Sequence, residues 1–128
     1  MDSISNMIIM MKNASLAGKE TVSFPHSNLK NAILECLKKE GYISEFSQKV
    51  KKGEQVLEAK LLYKDEKPKI SEVERISKQS RRVYFGTKDI YPVRNGSGIL
   101  VLSTPKGILS GKEAKKELVG GEALFKMW

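Results

Sequence analysis

Apolar residues at the start of the chain recur at helical spacing. Ile4, Met7, Ile8 and Met11 line one face, with Asp2 or Ser3 as N-cap and Gly18 as the stop. Ile9 and Met10 lie off that stripe, so the middle of this helix is apolar nearly all round, which a second buried surface would explain. Thr21 to Pro25 is a short extended piece closed by its proline. Ser27 or Asn28 then caps a second helix, with Leu29, Ala32, Ile33, Cys36 and Leu37 as its apolar stripe and Gly41 at the left-handed position that ends it.

The period then changes. Tyr42 to Val50 is rich in aromatic and β-branched residues, and Leu57, Ala59, Leu61 and Tyr63 alternate with Glu58, Lys60 and Leu62, which predicts two strands. Lys51-Lys52-Gly53-Glu54 between them is a hairpin turn whose glycine supplies a positive φ. The polar stretch Lys64 to Lys69, closed by Pro68, reads as a linker, dividing the chain into lobes of residues 1–64 and 65–128.

Beyond it, Ile70, Val73 and Ile76 fit a strand or one helical turn. Arg82 to Phe85 is a short strand and Tyr91-Pro92-Val93 an extended piece. Asn95 to Gly98 is a turn, and Ile99 to Leu102 a strand apolar on both faces, hence central. Ser103-Thr104-Pro105-Lys106-Gly107 breaks that strand, and Ile108-Leu109 resumes an extended path. Ser110 with Glu113 forms a capping box for a short helix to about Leu118. Gly120-Gly121 turns the chain with positive φ into a last strand, Glu122 to Trp128, with Ala123, Phe125 and Met127 on one face. The expected fold class is α+β: an N-terminal α-β-α-β-β lobe packed against a β-rich C-terminal lobe with one short helix.

Composition narrows the function. Of 128 residues, 40% are hydrophobic and 30% charged, which suits a folded globular chain. Lys plus Arg number 23 against 15 acidic residues, a net charge of +8, so a polyanion, nucleic acid first, is the expected partner. One cysteine, Cys36, forms no internal disulfide, and one histidine with one cysteine falls short of the four N/S ligands of a structural zinc site. The longest apolar runs, Met7 to Met11 and Ile99 to Leu102, fall far short of the roughly 20 residues of a membrane helix. The start carries no basic segment of a secretory signal. A soluble intracellular protein is expected, with no membrane, small-molecule substrate, metal or cofactor.

Catalysis finds little support. His26 lies beside Pro25 with no acidic partner nearby and reads as a loop imidazole, while Cys36 sits on an apolar helix stripe where a thiol is inert. Gly96-Ser97-Gly98 precedes a strand, so it lacks the helix N-terminus of a phosphate cradle. Two segments carry a binding signature. Ser103, Thr104, Lys106 and Gly107 offer hydroxyls for ribose and base edges, an ammonium for phosphate and a backbone that lets RNA approach. The plainer reading is a Ser/Thr turn. Arg75, Lys78, Arg81 and Arg82 cluster before the aromatic pair Tyr84 and Phe85, a composition suited to tracking phosphates and stacking on bases or ribose, or to protecting a strand edge. Lys112, Lys115 and Lys116 read as the solvated face of the short helix.

Taken in order, these segments resemble the bacterial family of the eighth small-subunit ribosomal protein (S-eight). The carriers are Asp2-Ser3-Ile4 with Met7 and Lys12-Asn13-Ala14, then Pro25-His26-Ser27 with Leu29-Lys30, and Lys39 to Ile43. They continue with Arg75 to Lys78, Arg81 to Tyr84, Gly98-Ile99, Leu102 to Thr104, Lys106-Gly107, Glu113-Ala114 and Val119 to Glu122, up to Trp128. The resemblance implies a primary binder of small-subunit rRNA that helps organise the central domain during assembly, cytoplasmic or in an organelle matrix, with neighbouring ribosomal proteins as further partners. It implies that Ser103, Thr104, Lys106 and Gly107 enter a distorted rRNA hairpin, that Tyr84 stacks beside them and that Glu122 orders the site. Lys78 and Arg81 of the basic cluster join these as candidate RNA contacts on composition alone. Asn13, Ser27 and Lys30 match positions facing a second rRNA helix. Pro105 stands where the family usually has a second serine, Ile9 and Met10 where it has polar and arginine residues, and Gln79-Ser80 where it has Pro-Gly. Two other readings remain open: a translational repressor using the same surface on its own messenger, and a basic RNA-processing enzyme built on His26 and Cys36.

Overall fold

The computed structural model describes residues 3–128; Asp2, the alternative first N-cap, lies outside them. The chain divides into two units, Ser3–Ser71 and Glu72–Trp128.

In the first unit, α1 (Ser3–Leu16) and α2 (Asn28–Lys39) lie with a three-stranded antiparallel sheet of β1 (Thr21–Pro25), β2 (Ile43–Lys51) and β3 (Glu54–Leu61), in the order β1-β3-β2. Alternation along β1 and β3 sends Val22, Phe24, Leu57, Ala59 and Leu61 inward. Ile4, Met7, Ile8 and Met11 of α1 and Ile33, Leu34 and Leu37 of α2 are buried as well. The α2 stripe is rotated from its expected position, because Leu29 is exposed while Lys30 and Leu34 are buried. Lys30 tolerates this by donating from Nζ to the Pro25 carbonyl at 3.2 Å, which gives its buried ammonium a partner. Ile9 and Met10 are exposed. Lys52 and Gly53 both have positive φ, 51° and 80°, so the β2–β3 hairpin has the form of a type I′ turn with lysine in a left-handed position as well as glycine.

The expected linker is itself structured. β4 (Tyr63–Lys64) and β5 (Lys67–Pro68) form a two-stranded ribbon, Lys69 N–H donates to the Leu62 carbonyl, and Ile70 is buried. The change of unit comes after Ser71, beyond the charged stretch, which folds back on itself as a ribbon.

The second unit is a five-stranded antiparallel sheet centred on β10 (Gly121–Met127). One side of β10 pairs with β8 (Ile99–Thr104), which pairs in turn with β9 (Gly107–Ser110). The other side pairs with β7 (Tyr84–Phe85) through Gly121 and Glu122, and with β6 (Val73–Arg75) through Phe125 to Met127. A short helix, α3 (Gly111–Lys116), opens on the expected capping box: Ser110 Oγ accepts from Glu113 N–H at 3.2 Å, and Glu113 Oε1 accepts from Ser110 N–H at 3.5 Å. Val93–Gly96 forms a 3-10 turn, which begins at the last residue of the expected extended piece and overlaps the expected turn at Asn95 to Gly98.

Both faces of β8 are buried, as its all-apolar run requires. Leu100 and Leu102 share a core with Ala114, Ile90, Val93 and Ala123. The last strand departs from simple alternation. Ala123 opposes Leu102 but Phe125 opposes Val101, so Leu124 is an extra residue, a β-bulge. Ala123 therefore shares a face with Leu102, and Phe125 and Met127 share the other with Val101 and Ile99. The expectation that Ala123, Phe125 and Met127 line one face fails for this reason.

Gly120 and Gly121 lack positive φ; their need is for space. A Cβ on Gly120 would lie 2.3 Å from the Phe85 carbonyl oxygen, and one on Gly121 would lie 2.1 Å from that of Ser103. Positive φ appears instead at the helix ends. Among the described residues, the three α-helices each close with paired bonds from the left-handed residue and its successor: Gly18 and Lys19, Gly41 and Tyr42, Leu118 and Val119. Leu118, at φ 58° and 79% exposed, is the one without a glycine. Relief of a left-handed Cβ is worth roughly 1–2 kcal/mol, against up to about 1 kcal/mol for the looser unfolded chain. Leu118→Gly is therefore expected to raise stability by roughly 0.5–1 kcal/mol in urea denaturation, and Gly121→Ala to lower it by about 1–3 kcal/mol. Equal stability of both variants would contradict this account of the two positions.

Candidate nucleic-acid interface

Pairing across three strands assembles the second unit's candidate residues. Glu122 of β10 lies opposite Ser103 of β8 on one side and Tyr84 of β7 on the other. Directly opposed residues project to one face, so Tyr84, Glu122 and Ser103 form a row. Tyr84 is 68% exposed, which leaves its ring open to a stacking partner.

Beside the row, Ser103 to Gly107 does not break the strand as expected. Ser103 and Thr104 belong to β8 and pair with Ile108 and Gly107, so Pro105-Lys106 is the tip of a tight hairpin. Thr104 Oγ1 donates to the Gly107 carbonyl at 2.8 Å and accepts from Lys106 N–H at 3.1 Å. Its proton is committed to the turn, which leaves one lone pair for a ligand. The Ser103 hydroxyl has no partner among the described residues, so it can both donate and accept. Proline suits the first tip position, and the turn's bonds do not need the N–H it lacks. Gly107, at φ 108°, supplies the conformation a side chain would resist.

Glu122 is fixed from below. Its Oε2 accepts from Ser77 Oγ at 2.5 Å and from Arg82 Nη1 at 2.9 Å, and Ser77 Oγ accepts from Val83 N–H at 3.1 Å. Ser77 is fully buried. Burial pushes the Glu122 carboxyl up, but those two hydrogen bonds and the charges of Arg82 and Arg75 outweigh it and hold the group below the ordinary glutamate value. Lys78 and Arg81 exchange backbone bonds of 2.9 and 3.0 Å across Gln79-Ser80, which forms a two-residue turn, and both side chains are exposed. Lys106 Nζ lies 3.3 Å from Glu117 Oε2, with both side chains about half exposed. Such a pair contributes little to stability, so a phosphate can replace the carboxylate at small cost.

A family model described as ribosomal protein S8 matches residues 2–128. The chain belongs to the ribosomal protein S8 family. Small ribosomal subunit protein uS8 of Nitrobacter hamburgensis is 47% identical over 125 residues, covering 97% of this chain and 95% of that protein. Those of Persephonella marina and Kosmotoga olearia are 47% and 43% identical, each covering 99% of this chain and 98% of the relative.

In this S8-family chain two of the first unit's three candidates carry structural bonds. Ser27 Oγ caps α2 by accepting from Lys30 N–H at 3.1 Å, and Lys30 is buried against Pro25. Asn13 is exposed on α1. His26 donates its backbone N–H to the Gln55 carbonyl, and Cys36 is buried on α2, as are Ile33 and Leu37. Among the described residues no group of three or more His, Cys, Asp or Glu could hold a metal, and no helix is long and apolar enough to cross a membrane. Sequence reasoning did not single out Ser77, whose hydroxyl orients Glu122. A serine after Ile76 carries no local signal of that role.

The lowered Glu122 carboxyl sets a pH dependence. Its folded-state pKa lies below the unfolded one, so its contribution to stability is complete above about pH 5 and is lost as pH falls through the lowered value. The stability gap between wild type and Glu122→Gln is expected to be wide at neutral pH and to narrow as pH falls below the ordinary glutamate range in urea titrations. A gap unchanged by acid would mean that the carboxylate charge contributes nothing.

Proposed function

We propose that this chain is a structural, rRNA-binding protein of the small ribosomal subunit, whose second unit recognises an irregular hairpin of the central domain and supports subunit assembly. The observation that carries the reading is the Tyr84–Glu122–Ser103 row beside the Thr104–Gly107 hairpin. It combines an exposed ring, an available hydroxyl and a stiff backbone tip, with Lys78, Arg81 and Lys106 as cations. The family and the names of its relatives support the ribosomal setting.

The residues divide the work. Cations supply attraction that weakens with salt as counterions are released. Ser103 and the exposed tip at Lys106 and Gly107 read the contour of ribose and phosphate, which suits an RNA whose bases are unstacked or irregular. Glu122 stays off the phosphates, tied to Ser77 and Arg82, and acts by holding the row in place. Neighbouring ribosomal proteins are the further partners of this reading, and Asn13 is the first-unit residue whose side chain is open to a second rRNA helix.

Ser103→Ala is expected to lower affinity for the target hairpin about three- to tenfold, the worth of one hydrogen bond, with the salt dependence unchanged. Lys106→Ala or Lys78→Ala should instead reduce the slope of log affinity against log salt by about one. Thr104→Ser, which keeps both turn bonds, should bind nearly as well as wild type, and Thr104→Ala should not. Filter-binding titrations across salt concentrations measure all five variants, and identical slopes with identical affinities would overturn the assignment.

A further inference from the structure

At the far end of β10 is a cleft of about 410 Å³, lined by Glu74, Tyr91, Arg94, Lys126 and Trp128 among others. Its size lies within the roughly 300–1,000 Å³ of small-molecule sites. Glu122 and Trp128 are six residues apart on one extended run, so the cleft lies about 20 Å from the hairpin row. The Leu124 bulge also places it on the opposite face, since Lys126 opposes Leu100 while Glu122 opposes Ser103.

Its side chains are already arranged. Lys126 Nζ sits 5.7 Å from the Tyr91 ring centroid and 5.8 Å from that of Trp128, and 3.3 Å from Glu74 Oε2. The Arg94 guanidinium lies over Trp128 at 4.6 Å. Arg94 is exposed, and a guanidinium held over a ring keeps its N–H donors for an anion. Arg94 has φ 49°, a conformation that side chains resist, and its carbonyl is pinned by Ser97 N–H at 3.1 Å and Ser97 Oγ at 2.7 Å. A strained, exposed, pre-oriented arginine at the rim of a cleft is the kind of outlier that accompanies binding. Tyr91 is 41% exposed and is backed by Phe85, ring centroids 6.0 Å apart.

The geometry points to this cleft as a second RNA contact that takes one unpaired ribonucleotide, its phosphate on the edge of Arg94, its base against the aromatic wall and its 2′-hydroxyl or base amino group on Glu74. This rests on the reading of the chain as an RNA binder. The choice of ligand follows from the donor set. An acidic peptide would satisfy Arg94 but would set its carboxylates against Glu74, whereas a ribonucleotide carries the anion, the donor and the flat ring that the cleft can each meet.

Trp128 is the only tryptophan, so its fluorescence reports on the cleft. Titration of the full chain with a hexaribonucleotide of adenosine should quench it saturably, and the deoxy hexamer should bind more weakly. Arg94→Gly removes the guanidinium and relieves the left-handed backbone. It should weaken the hexamer at least about fivefold while melting at the same temperature or higher. Lys116→Ala, an equal loss of charge elsewhere, and Ser103→Ala should each leave hexamer binding within about twofold. The proposal is overturned if quenching does not saturate, if Arg94→Gly binds like wild type, or if a hexaglutamate peptide quenches as strongly. A parallel titration with the hairpin separates the two sites: loss of hairpin recognition with saturable quenching intact would sink the first assignment and leave this one standing.

Discussion

The Tyr84–Glu122–Ser103 row and the Lys126–Trp128 cleft both take their direction from strand β10, and β10 takes its parity from one inserted residue. Without the bulge at Leu124, Glu122, Lys126 and Trp128 would project to a single face. With it, Glu122 joins Tyr84 and Ser103 on one face, while Lys126 comes up beside Leu100 on the other. The same insertion reconciles packing with charge. Ala123 reaches the core shared with Leu102 and Ala114, and Phe125 and Met127 bury on the opposite side. A regular strand would have set Ala123 against the wrong neighbours.

The hairpin row shows how a small protein can prepare a surface for RNA with few groups. Much of its hydrogen-bonding capacity is spent on stiffness. Thr104 bonds within its turn, Ser77 binds Glu122, and Glu122 binds Arg82. Ordering these groups in advance removes conformational entropy that association would otherwise have to overcome. Ser103, Tyr84 and the cations are left to face outward. Placing an acid at the centre of an RNA-binding edge is consistent with this logic, because the carboxylate's charge is met by Arg82 and Arg75, not offered to phosphate.

What was legible beforehand was local. The Ser110–Glu113 capping box, Gly18 and Gly41 at helix ends and the all-apolar β8 each declare themselves within a few residues, through period, cap or turn chemistry. The features that escaped are set by partners distant in sequence. Gly121 is required by the Ser103 carbonyl, burial of Lys30 on α2 is satisfied by the Pro25 carbonyl, and the bulge exists only in the register of β10 with β8. The charged stretch after Lys64 was misleading for a related reason. Polarity marks a connection, but Tyr63 pairing with Pro68 and Lys64 with Lys67 turns it into a ribbon. The site residues fall between these cases. Their chemistry was visible one by one, and the row they make was not.

Leu118 and Arg94 bring two of these threads together. Both have left-handed backbones without being glycine, and both are exposed. Leu118 closes α3 by the same bond pair that Gly18 and Gly41 use, so its conformation is explained by helix termination alone and its side chain makes no claim to function. At Arg94 the turn is also closed, by Ser97, yet the guanidinium is further ordered over Trp128 beside a second cation and two rings. Backbone strain by itself therefore separates nothing. What distinguishes the two positions is whether the side chain so presented has been organised toward a ligand, and only Arg94 meets that condition.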